Sequence, residues 1–250
     1  MDKTLNNLYY QMISKRKSFH TFTGKNKLSD SELNEISEKI KTLKPLISNC
    51  KTAFKIVPTS EVESGAGEYC ILIYSEKKEN YLSNVGYMGE QLDLWLTSKN
   101  IGVCWYGMGK TNDTKFEGLD FIIMIAIEKA DESEFRKDLS MAERLPLEEI
   151  WNGEHFENIV KVARYAPSAC NSQMWFFKCN ENQINLYRFK RENSMIPTYK
   201  LSFYNQIDLG IIMLFIEVCL IYEDYSFTQN ILPEIKLESD EELVSVYSIE

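Results

Sequence analysis

A chain of 250 residues, 44% hydrophobic and 12% aromatic, can bury one large core or two small ones. Its formal net charge of -9 excludes a general binder of nucleic acid or anionic membranes but leaves room for a local basic pocket that grips one phosphate. Six cysteines without CxxC spacing, and two histidines (His20 and His155) without partners at metal-ligand spacing, exclude a zinc site and a Ser-His-Asp hydrolase; with no apolar signal core at the N-terminus, they predict free thiols in the cytoplasm.

Residues 4–17 read as a first helix. Ser29 and Glu32 make a capping box that starts a second, running to about Lys44 and stopping before Pro45. Phe54–Pro58 and Tyr69–Tyr74 are short strands, Val85–Ser98 is a helix, and Val103–Tyr106 and Phe121–Ile127 are buried strands. The charged stretch Glu128–Glu143 predicts an exposed connection. A second series follows: helix Phe156–Tyr165, a Pro-Ser-Ala turn, strands Met174–Cys179 and Gln183–Phe189, and helix Ser202–Tyr222. The run Leu209–Tyr222 is short for a membrane span and carries Glu217, so a helix buried on nearly all sides is expected.

The two series echo each other. Pro45-Leu46-Ile47-Ser48-Asn49 matches Pro167-Ser168-Ala169-Cys170-Asn171 at 122 positions' distance, and Asn84-Val85-Gly86 matches Asp208-Leu209-Gly210 at 124. Either the chain holds two related half-units that pack as a homodimer would, or helix–turn–strand units resemble one another by chance.

Two clusters carry chemistry. Arg16-Lys17-Ser18-Phe19-His20-Thr21-Phe22 gathers two fixed cations, a hydroxyl and an imidazole at a helix end; it reads as a phosphate grip or as a solvated basic terminus. In Ala166-Pro167-Ser168-Ala169-Cys170-Asn171-Ser172-Gln173-Met174-Trp175, small residues admit a flat ligand to the backbone, and Ser168, Asn171 and Gln173 offer donors and acceptors. Its plain alternative is a polar turn whose Trp anchors the next strand. Gly107-Met108-Gly109-Lys110-Thr111 fails as a nucleotide-binding Walker loop, because position 104 is Cys. Small apolar packing is the expected role of Cys104 and Cys170.

The second cluster resembles the A-P-S-x-x-N-x-Q-P-W stretch of the flavin-dependent nitroreductase superfamily. The first resembles its R-R-S-x-R-x-F, and Glu143–Glu149 resembles its closing segment, in which an Arg or Lys reaches the flavin phosphate. Gly86 to Gly109 resembles its central helix and following strand. His20 stands where the family has Arg or Lys, so charge there depends on pH, and Met174 replaces a Pro. The order also differs, since the A-P-S block here follows Arg144. In the family, that block reaches the flavin of a partner subunit.

The resemblance implies an α+β fold, a central mixed or antiparallel sheet flanked by helices, duplicated as an intramolecular pseudo-dimer. Its halves are 1–135 and 153–250, with residues 136–152 connecting them and bringing a phosphate-binding Arg. It implies FMN as cofactor, NADH or NADPH as donor, and a nitroaromatic, quinone or related small molecule as acceptor; a flavin storage or sensor protein is the alternative. Arg16, Lys17, Ser18, His20 and Arg144 are expected at the phosphate. Tyr106, Gly107 and Met108 are expected beside the ring, and Pro167, Ser168, Ala169, Asn171 and Gln173 in the loop lent by the second half. One site per chain is expected, in a monomer with a homodimer as the alternative, without nucleic acid, metal or membrane.

Overall fold

The carboxylate of Asp2 accepts hydrogen bonds from the backbone N–H groups of Thr4 and Leu5 and so opens helix α1 (Lys3–Lys15). The computed structural model describes residues 2–191, 196–233 and 239–250. Ser29 and Glu32 form the expected reciprocal box at the start of α2 (Asp30–Ile40). That helix ends four residues before Lys44, because the Gln91 amide accepts from the Lys44 N–H and donates to the Lys44 carbonyl, taking the backbone groups that another turn would have used.

Strands β1 (Thr52–Pro58) and β2 (Tyr69–Ser75), helix α3 (Tyr81–Ser98), and strands β3 (Ile101–Tyr106), β4 (Lys115–Phe116) and β5 (Leu119–Lys129) complete the first half. They pair antiparallel in the order β1-β2-β5-β3, with β4 on β5. Both faces of β2 are buried. Ile71 and Ile73 point into the main core; Cys70, Leu72 and Tyr74 point into a smaller one with Val57, Leu119 and Met124.

The predicted exposed connection is only partly exposed. β5 takes up Glu128 and Lys129, and Ala130 and Phe135 are buried against Phe19. The Arg136 N–H donates to the Lys15 carbonyl, so the segment wraps the first half before it leaves. It then crosses over, and β6 (Trp151–Gly153) joins the second sheet by pairing parallel with β7 (Trp175–Asn180).

The second half runs α4 (Glu157–Ala163), β7, β8 (Gln183–Phe189), α5 (Thr198–Tyr222), β9 (Phe227–Ile231) and β10 (Glu241–Ile249). The last two strands are additions to the sequence reading. β7-β8-β10-β9 repeats the order of the first sheet: two strands, a long helix, an edge strand, and a last strand inserted beside the second. α5 is apolar and long enough to cross a membrane, but it is mostly buried, packed on α1, α3 and α4.

The contact between α3 and α5 is reciprocal. A Cβ on Gly86 would lie 2.0 Å from the carbonyl oxygen of Ile207, and one on Gly210 would lie 1.9 Å from that of Ser83. Only glycine lets the two backbones approach this closely. Two further pairs repeat across the same relation. The Ile47 N–H donates to Asn84 Oδ1 (2.9 Å), and the Ala169 N–H donates to the Asp208 carboxylate (3.0 and 3.1 Å). Asn80 Nδ2 donates to the Leu232 carbonyl (3.0 Å), and the Tyr204 hydroxyl donates to the Gly107 carbonyl (2.7 Å).

Candidate functional site

After α1 the chain straightens and Ser18 forms a parallel bridge with Val103, with the Phe19 N–H donating to the Val103 carbonyl. This lays Lys17, Ser18 and His20 along the edge of β3. From the other half, the Pro167–Gln173 loop is pinned onto α5 by the Asp208–Ala169 contact. Cys170, Asn171 and Gln173 all adopt positive φ (52°, 53° and 47°), a conformation that costs energy in residues with a Cβ and that clusters at functional sites.

Two adjoining cavities lie between these segments. An inner recess of about 110 Å³ is walled by Cys104, Trp105, Gly107 and Ile123 from the first half, and by Ala169, Tyr204, Ile207, Asp208 and Ile211 from the second. An outer cleft of about 560 Å³ is walled by Lys17, Arg136, Met141, Glu143, Arg144 and Asn171. Ser18, His20, Pro167, Ser168 and Cys170 line both.

The expected residues thus divide. Lys17, Ser18, His20, Gly107, Arg144, Pro167, Ser168, Ala169 and Asn171 line the cavities together. Four do not. Arg16 is 1% exposed and lies inside the first half, its Nε 2.9 Å from Asp93 and 3.3 Å from Glu90. Its Nη2 donates to Ser18 Oγ at 3.3 Å, so Arg16 sets Ser18 in place from behind. Gln173 is buried; its side chain accepts from the Leu145 N–H and donates to the Asn171 carbonyl, tying the connecting segment to the loop. Tyr106 packs on the smaller core and lines neither cavity. Met108 is 79% exposed and lines neither cavity.

Arg144 meets the loop directly: its Nη1 donates to Asn171 Oδ1 (3.0 Å) and its Nη2 to the Tyr165 carbonyl (2.9 Å). Burial first, then repulsion from Arg16 and Arg136, pushes its guanidinium down to about 9. Arg136 is pushed down to about 10 by burial and then by Arg16. Each of these three cations keeps a buried nitrogen with no partner: Arg16 Nη1, Arg136 Nη1 and Arg144 Nε. Cations gathered against their own repulsion, with donors to spare, make a place for an anion.

Behind the cavities, Glu90 accepts from Trp105 Nε1 (3.1 Å), and burial pushes both Glu90 and Asp93 upward against the pull of Arg16. Cys104 also walls the recess, but it is buried and its thiol is pushed up by burial, as small apolar packing expects. Cys170 does not fit it, being exposed and on the wall of both cavities. Among the described residues, no group of acidic, Cys and His side chains could hold a metal ion.

Sequence reasoning missed Arg136, Tyr204 and Asp208 as wall residues. Arg136 sits in a charged stretch where it looks like any solvated cation. Asp208 was visible only as the start of an apolar helix repeat.

The family model described as "Putative TM nitroreductase" matches residues 8–219. Among solved structures, a Thermotoga maritima MSB8 protein described as a "putative nitroreductase" is 18% identical, with 96% of this chain and 92% of that one covered and a TM-score of 0.61. A nitroreductase family protein from Clostridium novyi NT is 17% identical, covering 51% and 91%, with a TM-score of 0.38. A Desulfovibrio desulfuricans protein, solved in complex with FMN, is 15% identical, covering 58% and 100%, with a TM-score of 0.36. No curated protein matches the chain. The α+β architecture is nitroreductase-like, and by the match over most of its length the chain belongs to the TM nitroreductase family.

Proposed function

We propose that the chain is an FMN-dependent oxidoreductase that takes electrons from NADH or NADPH and passes them to a small acceptor such as a nitroaromatic or a quinone. The observation that carries this reading is the pair Arg136 and Arg144, with unpartnered buried nitrogens on the wall of a cleft that runs on into an aromatic-walled recess, and with Arg16 behind them. A flavin mononucleotide needs that combination: fixed cations for its phosphate, hydroxyls and amides for its ribityl chain, and a flat apolar slot for its ring.

When bound, FMN supplies the two-electron chemistry, exchanging electrons with the nicotinamide and the acceptor in turn. Lys17, Arg136 and Arg144 would hold the phosphate, with Arg16 fixing Ser18 from below. Ser168 and Asn171 would meet the ribityl chain, and Trp105, Gly107 and Ala169 would flank the ring. The two halves share one site, which fits a fused pseudo-dimer of residues 1–135 and 153–250, joined by 136–152, that works as a monomer.

Purified protein should be yellow, with flavin released on denaturation identified as FMN. NADH or NADPH should bleach the colour anaerobically, and a quinone or nitroaromatic should restore it. Colour that no nicotinamide bleaches would favour flavin storage or sensing over turnover. Arg144→Ala and Arg136→Ala should each weaken FMN binding by at least about tenfold, the size of one charge-assisted hydrogen bond. Protein that stays colourless with added FMN would overturn the proposal.

A further inference from the structure

One side chain in the recess is left unexplained by flavin binding. Asp208 is 4% exposed and lines the recess, yet both carboxylate oxygens share a single donor, the Ala169 N–H at 3.0 and 3.1 Å. Among the described residues it makes no ion pair within 4 Å. The matching position in the other half shows what a merely structural residue does there. Asn84 accepts from the Ile47 N–H and donates from Nδ2 to Thr52 Oγ1 (2.9 Å), using both ends of its amide. An amide would pin the Ala169 loop equally well. The recess instead has an acid whose two oxygens share that single donor.

Resting on the flavin reading above, the geometry points to Asp208 as the proton donor to the acceptor in the recess. The balance of the reaction calls for one. Reducing a quinone to a hydroquinone takes two electrons and two protons, and a reduced nicotinamide brings two electrons and one proton. The other proton leaves the Asp208 carboxyl as its O–H bond breaks and an O–H bond forms on the acceptor. Water then returns a proton to the carboxylate. A nitro group reduced to nitroso takes up the same electrons and protons and loses one oxygen as water.

For this role the acid has to be neutral at working pH. Burial without a cation pushes Asp208 up to about 8, with the Ala169 hydrogen bond pulling back only in part. The other titratable side chains lining the recess are His20, Cys104, Cys170 and Tyr204, and the Tyr204 hydroxyl is committed to the Gly107 carbonyl. Lys17, Arg136, Glu143 and Arg144 face the adjoining cleft.

Asp208→Asn tests this, since it keeps the acceptor for Ala169 and copies the residue of the other half. On FMN-loaded protein, stopped-flow oxidation by 1,4-benzoquinone should slow by about 10²-fold, with reduction by NADH and the affinity for FMN unchanged. Wild-type oxidation should slow as pH rises through about 8, and the variant should lose that limb. Infrared difference spectra of variant against wild type, without an acceptor, should show a protonated-carboxyl band at pH 7 that the variant lacks. Glu90, Asp93 and Glu217 cancel in that difference. A variant with the wild-type rate and pH limb overturns the proposal, as does the absence of the band. A folded variant that no longer binds FMN also overturns it, because Asp208 would then only position the loop. Failure of the flavin reading itself appears separately, as wild-type protein that binds no FMN.

Discussion

Two acids on the central helices, Asp93 buried and Glu217 half-buried, stand 124 positions apart, as Gly86 and Gly210 do, and have opposite partners. Asp93 of α3 receives the Arg16 guanidinium at 2.9 Å, with Glu90 beside it. Among the described residues Glu217 of α5 makes no ion pair within 4 Å and accepts from the hydroxyl of Tyr87, at 2.6 Å. Tyr87 itself stands where the second half has Ile211, a wall residue of the recess. One arrangement is a charged assembly that reaches Ser18 and the cavities. The other is a neutral plug that closes the corresponding place with an aromatic ring. A carboxyl group at this helix position needs a donor in both halves, and the donor's identity decides whether the region becomes a polar site or an ordinary core.

The largest expected effect breaks the charged member. Arg16→Ala leaves Glu90 and Asp93 buried without a cation, and chemical denaturation should show a loss of about 3–5 kcal/mol together with weakened FMN binding. Next comes the pH dependence of the neutral member. Burial pushes Glu217 up from 4.5 to about 7. The folded state therefore holds a proton that the unfolded state releases, so the contribution of Glu217 to stability falls as pH climbs from about 4.5 to about 7 and is level above that, inside the wider window over which Asp208, pushed up to about 8, gives a slope of the same sign. Glu217→Gln should remove that slope, a difference on the order of 3 kcal/mol between the ends of the window. A slope unchanged by the substitution would assign it to another group, such as Asp208.

The helix crossing tests whether the two halves are equivalent where they meet. Gly86→Ala and Gly210→Ala should each cost about 1–3 kcal/mol, by nearly the same amount, since each Cβ strikes a partner backbone. A marked inequality would break the symmetry of the crossing. The smallest effect is that of Tyr87→Phe, about 1 kcal/mol in denaturation, with FMN affinity unchanged. A change in FMN affinity would mean that the plug is coupled to the site.

Much of this was legible in the sequence, because the signals were local. The Ser29–Glu32 box, the apolar run of β2 and the Pro167–Asn171 turn each declare themselves within a few residues. The offset between Asn84–Gly86 and Asp208–Gly210 pointed to paired half-units as well, although sequence alone did not separate kinship from coincidence. What stayed hidden depends on distant partners. Arg16 reads as a surface cation until Asp93, 77 residues away, is brought to it. Gln173 reads as a ligand contact until its partner proves to be the Leu145 backbone. β9 was passed over because Phe-Thr-Gln-Asn-Ile is half-exposed at a sheet edge and mostly polar.

The close approach of α3 and α5 has a consequence for how such a molecule can change over time. Where two identical subunits meet about a two-fold axis, every mutation arrives twice, and an improvement to one pocket is imposed on its twin. Here both faces of the contact belong to one chain, so a mutation lands once. Tyr87 can fill its corner while Ile211 leaves its own open, and Asn84 can become inert while Asp208 keeps an acid. A contact made within one chain lets its two sides differ where two-fold symmetry would keep them equal.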